Sequence, residues 1–189
     1  MKALNVLPLA AFLFAGPVST VSAQAIIYHS GMTPAETCAA RVSDSSEHSA
    51  YVLRLCKTAL TDESLSPASR AATLTNTGIM EMRQGNLDAA VAHFQTARAV
   101  DAASPDVAIN LGAALIRLGR FQEAIDVLQD PQAISAGHRH IAYYNRAIAH
   151  WAVDDVALAY EDLSAANALR PDYAAARELL QHFQVAEVN

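Results

Sequence analysis

Residues 110–128 read NLGAALIRLGRFQEAIDVL, and the pattern of this stretch returns on either side of it. Gly112 and Gly119 recur 34 residues earlier as Gly78 and Gly85. Two further sets recur at intervals of 34 or 35 residues: Asn76, Asn110 and Asn145, and Ala90, Ala124 and Ala159. Self-similarity at such a period indicates a chain of stacked structural units, each of which buries its apolar face against the next.

The small residues at the repeated positions predict how each unit packs. Gly78, Gly112 and Ala147 allow two antiparallel helices to approach closely, and larger apolar residues fill the layer between the helices. The residues of this layer are Phe94, Leu111, Leu115, Leu128 and Leu163. We place Gly85 and Gly119 at the turn between the two helices, where glycine adopts a left-handed backbone at little cost.

The recurring residues define three successive units. These units resemble the tetratricopeptide repeat family over about residues 70–185. The second unit carries the clearest match, at Asn110, Leu111, Gly112, Leu115, Gly119, Ala124 and Leu128. The resemblance implies an all-α fold, a right-handed superhelical solenoid of antiparallel helix pairs, with three repeats over residues 70–171. It also implies a protein that binds other proteins.

Five positions depart from the family pattern. Glu81 and His150 replace aromatic residues, Arg146 replaces a leucine and Asp154 replaces a turn glycine. The fifth, Pro131, falls inside the predicted second helix of the middle unit. Proline lacks an N–H and clashes with the preceding turn, so we expect that helix to end early.

The first 23 residues read as a secretory signal peptide, with Lys2, an apolar run and small residues at 21–23. Cleavage after Ala23 and cleavage after Ala25 both remain open. The apolar run is too short to span a bilayer. We therefore expect secretion across the inner membrane, a bacterial periplasmic location and no membrane insertion after cleavage.

Two further segments flank the repeats. Residues 24–69 predict a degenerate helical pair, with helices at about 34–41 and 48–61 and a connector at 64–69. Residues 172–189 hold a predicted capping helix, at about 172–184, which Pro171 opens at its first turn. Such a cap covers the end of a solenoid.

The chain has only two cysteines, Cys38 and Cys56. In an oxidising compartment an even number of cysteines favours a disulfide, which here stabilises the small N-terminal pair. The alternative is two buried free thiols. Two thiols alone do not make a structural zinc site.

Composition and motifs exclude several classes of function. A net charge of −6 without a basic run gives no electrostatic footprint for nucleic acid. Metalloprotease, hydrolase and phosphate-binding motifs are absent from the sequence, so we predict no enzyme, no catalytic residue and no cofactor. We weighed His138, His140 and His150 as metal ligands, but their spacing matches no known site, and we predict no metal.

The family resemblance implies a concave groove lined by the first helix of each unit. Its expected ligand residues are Asn76, Ile79, Arg83, Ile109, Asn110, Arg117, Tyr144, Asn145, Ile148 and Trp151. The three asparagines would form a ladder whose amides pair with a peptide backbone, and the arginines would pair with a carboxylate. Alternatively, the asparagines only reflect the repeat pattern.

Three hypotheses of function follow. The first is an adaptor of the bacterial cell envelope that holds a peptide or helix of an unidentified protein in the groove, as a monomer or with weak self-association. The second is an enzyme or metal-handling protein on the same helices. The third is a structural subunit that self-associates through the apolar groove.

Overall fold

The computed structural model describes residues 31–101 and 106–183. In these ranges the chain forms nine α-helices, a 3-10 helix at Pro131–Ala133 and no strand, which confirms the all-α fold. The α-helices are α1 (Pro34–Val42), α2 (Ala50–Asp62), α3 (Pro67–Arg83), α4 (Leu87–Val100), α5 (Val107–Arg117), α6 (Phe121–Val127), α7 (Arg139–Ala152), α8 (Val156–Leu169) and α9 (Ala174–Leu180). The predicted signal peptide lies outside the described residues.

Consecutive helices pack as pairs, α1 with α2, α3 with α4, α5 with α6 and α7 with α8, and α9 packs against α8. The first helices of neighbouring pairs also contact one another, α1 with α3, α3 with α5 and α5 with α7. Pairs that contact their neighbours through equivalent helices form a solenoid. The predicted solenoid of helix pairs is therefore confirmed.

The repeated small residues lie directly under large residues of the second helix. A β-carbon built on Gly78 would lie 2.6 Å from Cε1 of Phe94, and one built on Gly112 would lie 2.6 Å from Cδ1 of Leu128. In the third pair Ala147 and Leu163 are both fully buried in one cluster. The predicted close approach of the paired helices is thus confirmed.

The turns inside the three repeats have the same geometry. Gly85, Gly119 and Asp154 have φ angles of 85°, 74° and 69°, so the aspartate occupies the left-handed position that glycine holds elsewhere. In each turn a backbone N–H donates to the carbonyl five residues earlier, at 2.9 Å: Asn86 to Glu81, Arg120 to Leu115 and Asp155 to His150. Asp155, not Asp154, caps α8 by accepting from the N–H of Leu158.

The second helix of the middle repeat is short, as Pro131 predicts. The helix α6 has 7 residues, whereas α4 and α8 have 14 each. The two carbonyls that follow its last residue accept hydrogen bonds from Arg146, whose Nη1 donates to the carbonyl oxygens of Leu128 at 3.3 Å and Gln129 at 2.8 Å. Asp162 holds the same guanidinium through two bonds of 2.7 Å. Two departures from the family pattern, Pro131 and Arg146, therefore compensate each other.

Two predicted boundaries were wrong. The helix α3 begins at Pro67, inside the segment predicted to be a connector, because Ser66 caps it by accepting from the N–H of Ser69 at 3.1 Å and proline suits the first helical turn. The helix α9 begins at Ala174 and ends at Leu180. Pro171 lies in the preceding turn and does not open α9.

The N-terminal pair is joined by the predicted disulfide between Cys38 in α1 and Cys56 in α2, which confirms that prediction over free thiols. Both cysteines are fully buried, and they share one cluster with Val42, Val52, Leu53 and Met80. Because Met80 belongs to α3, this small cluster also attaches the pair to the first repeat.

Loss of this disulfide is expected to lower the free energy of unfolding by about 3 kcal/mol, the chain-entropy value for a loop of about this length. The change is Cys38→Ala with Cys56→Ala, followed by urea denaturation. The reductant dithiothreitol should destabilise the wild-type protein and leave the double variant unaffected. Equal stability of the oxidised, reduced and double-variant proteins would contradict the expectation.

The buried carboxylate of Glu81, in α3, connects this helix to α2 and to the turn between α3 and α4. Glu81 has a side chain that is only 4% exposed, and it accepts from Lys57 Nζ at 2.6 Å and from Asn86 Nδ2 at 2.8 Å. Burial alone would raise the pKa of Glu81, but the hydrogen bonds from Lys57 and Asn86 outweigh it and hold this pKa below 4.5. Glutamate at this aromatic position is therefore ionised at neutral pH.

The Glu81→Gln variant should be less stable than the wild type at pH 7, by about 1–3 kcal/mol. Since the folded-state pKa of Glu81 is depressed, its stabilisation is present above pH 4.5 and is lost as the pH falls through the folded-state value. The difference in unfolding free energy between the two proteins should therefore shrink between pH 5 and pH 3 (approximate bounds). The matched control is Glu161→Gln on the exposed face of α8; a difference for Glu81→Gln that stays constant with pH would refute this account.

The described residues contain no helix that combines the length and the apolar character needed to cross a bilayer.

Candidate ligand groove

The first helices α3, α5 and α7 lie side by side and form two shallow hollows along one face. The hollow between α3 and α5 has a volume of about 220 Å³ and is lined by Ala72, Thr75, Asn76, Asp106, Val107 and Asn110. The hollow between α5 and α7 has a volume of about 240 Å³ and is lined by Asp106, Ile109, Asn110, His138 and Ile141. Asp106 and Asn110 line both, so the two hollows adjoin and form one groove.

The three asparagines of the predicted ladder differ in their surroundings. Asn76 and Asn110 line the hollows and are half-buried, and their amides make no hydrogen bond within the described residues. Asn145 is buried, and its Nδ2 donates to the carbonyl of Ile109 at 3.4 Å. Two of the three amides therefore face the groove unpaired, whereas the third connects α7 to α5.

The two predicted arginines already hold backbone carbonyls. Arg83 donates from Nη1 to Asp44 at 3.0 Å and Glu47 at 3.1 Å, and from Nη2 to Val42 at 3.0 Å. Arg117 donates from Nη1 to the carbonyl of Met82 at 2.9 Å. A carboxylate of a ligand would have to compete with these carbonyls for the guanidinium N–H groups.

The predicted apolar residues fall into two groups. Ile79 and Ile148 are half-buried, whereas Ile109 is buried with Leu128 and Ala142 and contributes little surface.

The second group consists of aromatic residues that contact the residues on either side of α9. Tyr144 meets the ring of Tyr173 edge-on at 5.3 Å. Trp151 is 43% exposed and lies 5.4 Å from the ring of Phe183. Near α9, these two predicted ligand residues therefore pack against other aromatic rings.

A polar cluster at the junction of the two hollows was not predicted as a unit. The carboxylate of Asp106 accepts from the N–H of Ser135 at 3.1 Å, from Ser135 Oγ at 2.8 Å and from His138 Nδ1 at 2.8 Å. These residues lie 29 and 32 positions apart in sequence, and Ser135 belongs to an irregular loop, so no local pattern signals the contact.

The cluster is not arranged as a catalytic relay. Ser135 Oγ and Asp106 Oδ2 both contact the same ring nitrogen of His138, Nδ1, at 3.1 and 2.8 Å. A serine nucleophile needs the base on one ring nitrogen and the orienting carboxylate on the other. The described residues also hold no group of three histidine, cysteine, aspartate or glutamate side chains placed for a metal ion.

A larger cavity, of about 470 Å³, lies away from the groove. It is lined by the end of α4 and the loop after α6, including Arg98, Ala99, Val127, Gln129 and Ile134. Because α6 ends at Val127, the two turns of helix that would fill this space are missing. The cavity is therefore a structural consequence of the short helix.

The comparisons with known proteins agree with the repeat geometry. The family model described as Tetratricopeptide repeat matches residues 81–147. This chain is a tetratricopeptide repeat protein. The matched region runs from the end of α3 to the middle of α7 and therefore includes the central helix of the groove. No curated protein sequence matches this chain.

The solved structures that share this fold include the two described next. The first TPR of Spaghetti (RPAP3), bound to the HSP90 peptide SRMEEVD, is 25% identical, with a TM-score of 0.54 over 61% of this chain and 90% of that one. MamA residues 41 to the end, from Desulfovibrio magneticus RS-1, is 20% identical, with a TM-score of 0.64 over 80% of this chain and 84% of that one. The likeness to MamA concerns the fold alone.

Proposed function

We propose that this tetratricopeptide repeat protein is a non-catalytic adaptor that holds a peptide segment of another protein in the groove between α3, α5 and α7. The observation that carries the proposal is the pair of unpaired amides, Asn76 and Asn110, along two adjoining hollows. An asparagine amide offers a donor and an acceptor, so it can pair with the N–H and C=O groups of an extended chain. The half-buried Ile79, Ile116 and Ile148 lie on the same first helices.

The solved structure of the RPAP3 domain supports a peptide as the ligand, since that related domain holds one. Its peptide, SRMEEVD, carries three acidic residues. The groove described here has no lysine among its lining residues, and Arg83 and Arg117 are bound to carbonyls. These differences argue against an acidic peptide as the partner.

The proposed location is the bacterial cell envelope, after export. A buried disulfide persists in oxidising compartments and is rare in the cytosol. The N-terminal sequence, with its lysine and apolar run, supports export independently.

The test is selection of a phage-displayed peptide library on the immobilised protein, followed by calorimetric titration of a synthetic winner. The Asn76→Ala, Asn110→Ala double variant should bind that winner at least about tenfold more weakly, because two backbone hydrogen bonds are lost. The matched control is Gln122→Ala on the exposed face of α6, which should bind like the wild type.

Two outcomes would overturn the proposal. One is a library that yields no peptide specific for the wild-type protein. The other is equal affinity of the double variant and the wild type, which would place the binding surface outside the groove. Light scattering at the titration concentrations separates peptide binding from self-association, because only the latter changes the mass of the free protein.

A further inference from the structure

We propose that the groove selects peptides in which a cationic side chain, arginine or lysine, lies against Asp106 between flanking apolar residues. This inference rests on the proposed function and specifies the chemistry of its ligand. Three observations support it. They are the position of Asp106, its hydrogen bonds, and the binding of Arg83 and Arg117 to backbone carbonyls of this chain.

Asp106 lies at the junction of the groove. It is the only acidic side chain among the described residues that line the two hollows, and it lines both of them. Its side chain is 37% exposed, so a ligand in either hollow can reach the carboxylate. A cation at this junction would have apolar walls on both sides, from Val107 and Ile141.

The carboxylate is oriented and keeps acceptor capacity. It accepts three hydrogen bonds, from the N–H and the Oγ of Ser135 and from Nδ1 of His138. An ionised carboxylate has about four acceptor sites, so one remains for a ligand. Because the three bonds fix the carboxylate before the ligand arrives, little side-chain entropy is lost on binding.

The carboxylate of Asp106 is ionised near neutral pH. Burial alone would raise the pKa of Asp106, but the hydrogen bonds from His138 and Ser135 outweigh it and place this pKa below its ordinary value. The His138 side chain is 58% exposed, and its Nδ1 is committed to Asp106. The Asp106 carboxylate therefore presents an acceptor to a ligand, and guanidinium and ammonium groups are pure donors.

The arginines in the last turns of α3 and α5 do not neutralise this site. Arg83 and Arg117 lie at the last turns of α3 and α5 and donate to the carbonyls of Asp44 and Met82, among others. Asp106 precedes the first turn of α5, at the opposite end of that helix. A ligand in the groove therefore meets one oriented carboxylate, and no described arginine or lysine lines the hollows.

The experiment uses the full chain and compares the wild type with Asp106→Asn in the same phage-displayed heptapeptide selection. Wild-type winners should be enriched in arginine or lysine beside apolar residues, and Asp106→Asn should lose this enrichment. A synthetic winner is then titrated together with its variant in which glutamine replaces the cation. This peptide substitution should weaken binding to the wild-type protein about tenfold or more, since charge-assisted hydrogen bonds are the stronger class.

The peptide substitution tests the inference without altering the protein, so it remains decisive if Asp106→Asn disturbs the fold, which circular dichroism would reveal. Enrichment of uncharged or acidic peptides whose binding depends on Asn76 and Asn110 would overturn this inference and leave the proposed function intact. The inference would also be overturned if replacing the peptide's cation by glutamine weakened binding equally to the wild type and to a folded Asp106→Asn protein. Failure to select any peptide would instead remove the proposed function.

Discussion

The Asp162→Ala variant should lose about 3–5 kcal/mol of unfolding free energy, because it leaves a buried guanidinium without its counter-charge. Asp162 binds Arg146 through two hydrogen bonds of 2.7 Å. The two side chains are only 7% and 18% exposed, so water cannot replace the lost carboxylate fully. Thermal unfolding followed by circular dichroism should show a Tm lower by about 10 °C.

The control for this variant is Asp172→Ala. Asp172 pairs with Arg170 at 3.9 Å, but its side chain is 81% exposed, and exposed pairs contribute little. Its Tm should stay within error of the wild type. A loss for Asp162→Ala no larger than that of Asp172→Ala would show that the buried pair between α7 and α8 contributes no more to stability than an exposed pair.

A second variant separates the ion pair from the capping of α6. Replacing both partners, Arg146→Leu with Asp162→Leu, removes the buried charge altogether, and such replacements are often nearly neutral. Here the carbonyls of Leu128 and Gln129 also lose their donor. We therefore expect the double variant to be more stable than Asp162→Ala and less stable than the wild type.

Much of the fold follows from the sequence because the same contacts recur in each unit. The residue of the first helix that faces the second helix must be small in every unit. Gly78, Gly112 and Ala147 therefore indicate the helix pairs. The early end of α6 follows equally directly from Pro131. The sequence shows Arg146 only as a departure from the family pattern, because its partners lie on α8 and just after α6.

The groove was less predictable than the fold. Repeat register places Asn76 and Asn110 on one face, but it does not show which amides other residues occupy. Arg83 is bound to the loop between α1 and α2, and this pair lies outside the repeats and outside their register. Asp106 meets Ser135 only because the loop after α6 adopts an irregular path, which spacing cannot reveal.

The Phe94→Ala variant is expected to lose about 3–5 kcal/mol of unfolding free energy, the usual cost of removing a buried phenylalanine side chain. Phe94 is fully buried within the largest cluster of the solenoid, with Leu74, Ala90 and Leu111 among its members. Its ring occupies the space above Gly78, and the helices cannot close this space completely. Urea denaturation of the wild type and the variant measures the loss.

Enlarging Gly78 should destabilise the same contact from the other side. The Gly78→Ala variant puts a β-carbon about 2.6 Å from the Phe94 ring, and overpacking of this kind costs about 1–3 kcal/mol. In the third repeat the equivalent positions hold a larger small residue and a smaller apolar one, Ala147 and Leu163. Transferring this combination as Gly78→Ala with Phe94→Leu should therefore cost less than the sum of the two single changes.

The comparison of single and double variants is a thermodynamic cycle, in which residues in contact show a coupling of about 0.5–3 kcal/mol. A favourable coupling between positions 78 and 94 would mean that each repeat sets the distance between its helices through one matched pair of residues, and that the pairs are interchangeable. Strict additivity would contradict this, because the ring and the glycine would then contribute independently. The glycines at 78 and 112 would in that case need another explanation than close approach of the helices.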